Sequence, residues 1–199
     1  NQDIYEYQID NCTLKIGHTR LSIQDLSPKA NQPMISSSGR FIISFNGEIY
    51  NHINLRKNLG NQKMFETTSD TETLLELFEH YEFEKTLSIL EGMYSFLLLD
   101  KKDNKLYAAR DITGEKPLYV GMLSDYVFFG SDLKTLIKIK GFNKEINKEA
   151  LQQFLEYNYV PNPNTIFQNV FKLPPASFIQ INLNKFKITK INNFEDLNN

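Results

Sequence analysis

The run MYSFLLLD, Met93 to Asp100, constrains the fold more than any other stretch of this chain. Its apolar residues do not alternate with polar ones, so as a strand it needs cover on both faces. It is also far shorter than the roughly 20 residues of a membrane-spanning helix. A buried strand of this kind belongs inside a layered domain. The chain can supply the layers, because 41% of its 199 residues are hydrophobic and 13% are aromatic.

The order of the other segments says which layers. CTLKIGHTRLSI, Cys12 to Ile23, reads as one strand, or as two broken at Gly17. Phe41 to Phe45 reads as a strand that ends at Asn46-Gly47, where glycine allows positive φ and the dipeptide signals a tight turn. Asn51 is then an N-cap for a short helix stopped by Gly60. Ser69 and Glu72 match a capping box for a helix from Thr67 to Tyr81, and TLSILEG forms a further short helix. Strands follow at Met93–Asp100, Lys105–Asp111, Leu118–Gly121 and Tyr126–Gly130. The segment from Asp132 to Ile139 reads as a helix. Lys148 to Tyr159 reads as another, with Leu151, Phe154 and Leu155 turned inward. After Pro161, Pro163, Pro174 and Pro175, ASFIQIN and KFKITKI close as a hairpin. Strands grouped around short turns, with helices grouped between them, predict an α+β fold of antiparallel sheets with helices packed outside.

Charge and composition exclude several function classes. The net charge is −2 and the basic residues are dispersed, so no nucleic-acid footprint is present. No apolar run has the length of a membrane span, and the first residues lack the pattern of a secretory leader. Cys12 is the only cysteine, which excludes an intrachain disulfide and fits a cytoplasmic location. His18, His52 and His80 show no metal-ligand spacing, so no metal site is expected. Neither GxGxxG nor GxxxxGK[ST] occurs, so no nucleotide-phosphate loop is expected.

Three positions carry groups with a chemical use beside a structural one. Asn46 and Gly47 offer adjacent N–H donors of the kind that stabilise an oxyanion. Arg20 has the planar fork that pairs with a carboxylate. Asp70 falls in the first turn of a helix, where simple end stabilisation also explains it.

GHTRLSI, NQPM, FNGEIYN, TSDTE, EGMYSF, ARDITGEKPLY and FFGSDLKTL occur in the order found in the glutaminase domain of class II glutamine amidotransferases. Together with YVPNPNTIFQNVFKLPPA, Tyr159 to Ala176, they resemble the glutamine-hydrolysing asparagine synthetase branch. The resemblance implies a four-layer α-β-β-α sandwich of the N-terminal-nucleophile hydrolase type over residues 1–191, with 192–199 a tail or linker toward a synthetase domain. It implies Asn46 and Gly47 as oxyanion donors, Arg20 for the glutamine α-carboxylate, and Glu48 and Asp70 for the α-ammonium. Leu21, Ile23 and Gln24 take the positions of main-chain contacts. The implied activity is hydrolysis of glutamine, with ammonia passed on for ATP-dependent amidation of aspartate or a related carboxylate. A glutamine-binding regulatory module and an amidotransferase acting on a sugar or glycan acid are the alternatives. The implied partners are glutamine and a synthetase domain that holds ATP and magnesium, with no cofactor in this domain.

The family's nucleophile is an N-terminal cysteine, and this chain begins at Asn1. Cys12 lacks the free α-amine that would serve as base, so the 199 residues alone are expected not to hydrolyse glutamine. Sheet edges left bare by a missing first segment would favour self-association, with a homodimer as the simplest product.

Overall fold

The computed structural model describes residues 2–10, 12–19, 25, 27–60, 65–123, 126–185 and 187–193. Strands β1 (Gln2–Ile9) and β2 (Cys12–Thr19) form an antiparallel hairpin over Asp10, whose φ is 46°. β2 runs unbroken through Gly17. β3 (Met34–Ile35) and β4 (Phe41–Ile49) lead to three helices, α1 (His52–Asn58), α2 (Asp70–His80) and α3 (Phe83–Ile89). β5 (Gly92–Asp100), β6 (Lys105–Arg110), β7 (Tyr119–Leu123) and β8 (Tyr126–Gly130) follow. Then come α4 (Leu133–Leu136), α5 (Lys148–Tyr157), β9 (Val170–Lys172), β10 (Ser177–Asn182) and β11 (Lys187–Asn193).

Among the described residues, a six-stranded sheet in the order β11-β10-β6-β5-β4-β3 forms the centre. The β1-β2 hairpin and a three-stranded sheet β8-β7-β9 complete the strands, and every strand pair is antiparallel. The buried run of β5 explains the layering. Phe96 and Leu98 enter a core with Leu74, Phe78 and Phe83 of the helices. Leu99, on the other face, enters a second core with Ile16 of β2 and Val120 of β7. Helices, sheet, strands and outer helices therefore stack in the expected α-β-β-α order, with the second β layer in two pieces. In the helix-side core the Phe83 ring stacks on Tyr107 at 4.0 Å and meets Phe178 edge-on at 5.1 Å between centroids, arrangements that add to simple area burial.

Three local expectations change. Asn46-Gly47 is not a turn; it lies inside β4, whose pairing with β5 continues to Ile49↔Gly92. Gly47 is required there by close approach and not by positive φ, since a Cβ on it would fall 2.2 Å from the Met93 carbonyl oxygen. Asn51 precedes α1 but does not cap it with its side chain. Its amide instead donates to the Ile89 carbonyl at 2.9 Å and accepts from the Glu91 amide at 3.2 Å, joining α1 to the α3–β5 turn. Finally, Leu151, Phe154 and Leu155 are exposed, at 41, 47 and 74% of their surface, and only Ala150 of α5 is buried. Helical periodicity identifies which residues share a face; it does not guarantee that the same domain covers that face.

Candidate functional site

The site forms around the edge of β4. Residues 45, 47 and 49 of an antiparallel strand direct their backbone polar groups to the same side. The Phe45 amide donates to the Gln32 side chain at 2.6 Å, and the Ile49 amide donates to Asp70 Oδ2 at 2.9 Å. The Gly47 N–H therefore faces the same edge, between those two anchored positions. The partner strand agrees. Tyr94, opposite Gly47, directs its own N–H to Asp111 Oδ2, and its carbonyl accepts from the Asp111 amide. Gly47 and Tyr94 thus form a pair without mutual hydrogen bonds, the kind with the closer backbone approach.

A cleft of about 770 Å³ lies over this edge, lined by Asn46, Gly47, Glu48 and Asp70, with Asp25 and Gln32 at its wall. Asn46 is exposed and Glu48 half-buried, whereas Asp70 keeps only 5% of its surface. Burial pushes the Asp70 carboxyl above its usual range, against the bonds from the Ile49 and Thr71 amides and the pull of His52. A buried carboxylate at a helix start, aimed at an open cleft, is suited to receive a cation. The predicted residues Asn46, Gly47, Glu48 and Asp70 are thus brought together, although 24 positions separate the first from the last in sequence. Arg20, Leu21, Ile23 and Gln24 lie outside the described residues.

Cys12 sits at the turn end of the hairpin, paired with Ile9, whereas the cleft is lined by Gly17, His18 and Thr19 of the same strand. Five residues of strand place it about 16 Å from Gly17. Burial also raises its thiol pKa, the wrong direction for a nucleophile.

The ARDITGEKP motif has a structural reason. The Asp111 carboxylate, fully buried, accepts from the Tyr94, Thr113, Glu115 and Lys116 amides and the Thr113 hydroxyl, at 2.9–3.2 Å. Burial pushes this carboxyl up, and those donors outweigh it and hold it below its ordinary value. Arg110 donates to the carbonyls of Gly114, Lys116 and Leu173. The pair folds the loop that crosses β5, where the Ser95 hydroxyl donates to the Pro117 carbonyl at 3.2 Å. Sequence reasoning gave no role to Gln32, Asp25 or Arg56. Gln32 was legible only as part of NQPM, and its amide bridges the Phe45 amide to the Thr71 hydroxyl of α2.

Comparison with known proteins bears on the family and the fold. The profile of the glutamine amidotransferase domain family matches residues 2–192. Asparagine synthetase [glutamine-hydrolyzing] 1 of Bacillus subtilis is 44% identical over 162 residues, covering 81% of this chain and 25% of that protein. A putative asparagine synthetase [glutamine-hydrolyzing] 2 of Methanocaldococcus jannaschii is 32% identical over 206 residues, covering 96% of this chain and 39% of that protein. The chain therefore spans between a quarter and two-fifths of these relatives. The solved glutamine phosphoribosylpyrophosphate amidotransferase of B. subtilis, complexed with ADP and GMP, superposes with a TM-score of 0.62 at 23% identity, over 90% of this chain and 34% of that one. That likeness shows a shared fold. With the domain profile running almost from end to end, the chain belongs to the glutamine amidotransferase domain family and is similar to the corresponding part of glutamine-hydrolysing asparagine synthetases.

Proposed function

We propose that the cleft binds glutamine, and that the chain is the glutaminase part of an asparagine synthetase-like amidotransferase that passes ammonia to a synthetase portion for amidation of aspartate or a related carboxylate. The observation that carries the reading is the edge of β4. There the Gly47 N–H lies two residues from the amide that anchors Asp70, a spacing of about 7 Å along the strand and the scale of one extended amino-acid side chain. In this reading Asn46 and Gly47 donate to the side-chain carbonyl oxygen as charge develops on it. Asp70 and Glu48 take the α-ammonium, and Arg20 takes the α-carboxylate. In this reading ATP and magnesium belong to the synthetase portion.

Calorimetric titration of the purified chain with L-glutamine tests the reading. Saturable binding that is lost in Asp70→Ala is expected. No binding by the unaltered chain, or equal affinity for D-glutamine, overturns it.

A further inference from the structure

The turn before α2 is held from two directions, by Arg56, which does not line the cleft, and by Asp25 at the cleft wall. Arg56 of α1 reaches it with its whole guanidinium. Nε donates to the Thr73 hydroxyl at 2.6 Å, Nη1 to the Thr67 carbonyl at 2.7 Å and Nη2 to the Ser69 carbonyl at 2.5 Å. Nη2 also lies 3.7 Å from the Glu72 carboxylate, and the guanidinium carbon sits 4.1 Å above the centre of the Phe65 ring. Glu72 binds the same turn, accepting from the Glu66 and Thr67 amides at 2.8 Å and from the Thr67 hydroxyl at 2.6 Å. From the other side Asp25 Oδ2 accepts from the Thr68 amide at 2.9 Å and from its hydroxyl at 3.2 Å, while Oδ1 accepts from the Ser27 amide at 2.7 Å.

The placement of these two residues in the chain is what matters. Arg56 lies on the helix that directly follows Asn46, Gly47 and Glu48. Asp25 directly follows Gln24, the last of the expected main-chain contacts. The Thr67–Ser69 turn ends at Asp70, the expected ammonium contact. One short turn is thus hydrogen-bonded to the flanks of both other binding segments.

We infer that Arg56 and Asp25 are positioning residues for the substrate α-amino group: they clamp the Thr67–Ser69 turn and thereby set Asp70 against the oxyanion donors of β4. The inference rests on the glutamine reading of the cleft. The Ile49 amide of β4 holds one carboxylate oxygen of Asp70 and the Thr71 amide of α2 also bonds to the carboxylate, so its direction depends on the backbone that enters α2. A displacement of about 1 Å at such a contact is enough to cost up to a hundredfold. Lysine cannot replace Arg56, because a point ammonium does not span two carbonyls and a hydroxyl in one plane.

The test uses two ligands, L-glutamine and glutaramate, which is glutamine without its α-amino group, titrated against the unaltered chain, Arg56→Lys and Asp25→Asn. Thermal melts confirm that each variant is folded. The unaltered chain is expected to prefer glutamine roughly tenfold or more, the worth of one charge-assisted contact. In each variant that ratio falls toward one, with glutamine weakened several-fold and glutaramate little changed. A purely structural role weakens both ligands alike and leaves the ratio intact. An unchanged ratio in a folded variant overturns the inference and spares the glutamine reading. Absence of glutamine binding by the unaltered chain overturns both. Asp25 is not deeply buried, so Asp25→Asn decides the matter if Arg56→Lys does not fold.

Discussion

Asp70 accepts the Ile49 backbone amide at 2.9 Å, which fixes a carboxylate at the start of a helix to the edge of a strand. The charge is held where water is scarce, at a cost in stability that the fold tolerates. Asp70→Asn keeps the acceptor for Ile49 and removes the charge. Glutamine affinity is expected to fall tenfold to a hundredfold, roughly the worth of a charge-assisted bond, with no loss of melting temperature. The pH dependence separates the two effects. A folded pKa raised above the ordinary 3.8 means that the native state binds the extra proton. Stability from this group therefore falls as pH rises from 3.8 through the raised value. Melts of the two proteins between pH 3 and 7 should diverge over that window, with the natural chain losing ground as pH rises, while its glutamine affinity rises.

Gly47→Ala tests the close approach of β4 and β5. The added methyl meets the Met93 carbonyl oxygen at 2.2 Å and the Tyr94 Cα at 2.7 Å, both backbone atoms that cannot swing away. Overpacking of this kind costs about 3 kcal/mol, read from denaturant midpoints. Gly92→Ala should behave alike, because its Cβ would meet the Glu48 carbonyl oxygen at 2.2 Å.

These two glycines show where the sequence could be read and where it could not. The β4 strand, the helix at Asp70 and the pairing of Asn46 with Gly47 follow from local patterns. Whether Asn-Gly turns or continues depends on a partner strand 47 positions away, at Tyr94, and local pattern carries no information about it. Glu72 was legible as half of a capping box, yet it reaches past Ser69 to the amides of Glu66 and Thr67. Ser69 itself caps as read, accepting from the Thr71 amide at 3.1 Å. Arg56 left no signature at all, since two of its bonds go to backbone carbonyls that every residue carries. At the expected carboxylate end, Arg20 could be read from its planar fork, whereas Leu21, Ile23 and Gln24 came only from the family resemblance.

Asp111→Asn should destabilise the domain by about 2–4 kcal/mol, because an amide nitrogen would face donors that now meet a carboxylate. The folded pKa of Asp111 lies below 3.8. Its contribution is therefore present above the unfolded value and lost as pH falls through the lowered one. The natural chain should lose more stability than the variant on acidification below pH 4, measured by urea midpoints at stepped pH.

Leu155→Lys and Leu151→Gln on α5 should change stability by no more than about 0.5 kcal/mol, whereas Leu74→Ala, at a residue 1% exposed, should cost about 2–5 kcal/mol. A large loss at Leu155 would show that the outer face of α5 is packed after all.

The uncovered face of α5 also bears on the colloidal behaviour of the domain. Leu155, at 74% exposure, and Phe154, at 47%, present apolar surface to the solvent. The formal charge of −2 and a pI near 6.0 leave little long-range repulsion to keep neighbouring molecules apart. Attraction between copies should therefore rise with sulfate, which strengthens apolar association. The second virial coefficient should become more negative as pH approaches 6.0, and a moderately alkaline, low-sulfate buffer is the medium in which this domain stays dispersed.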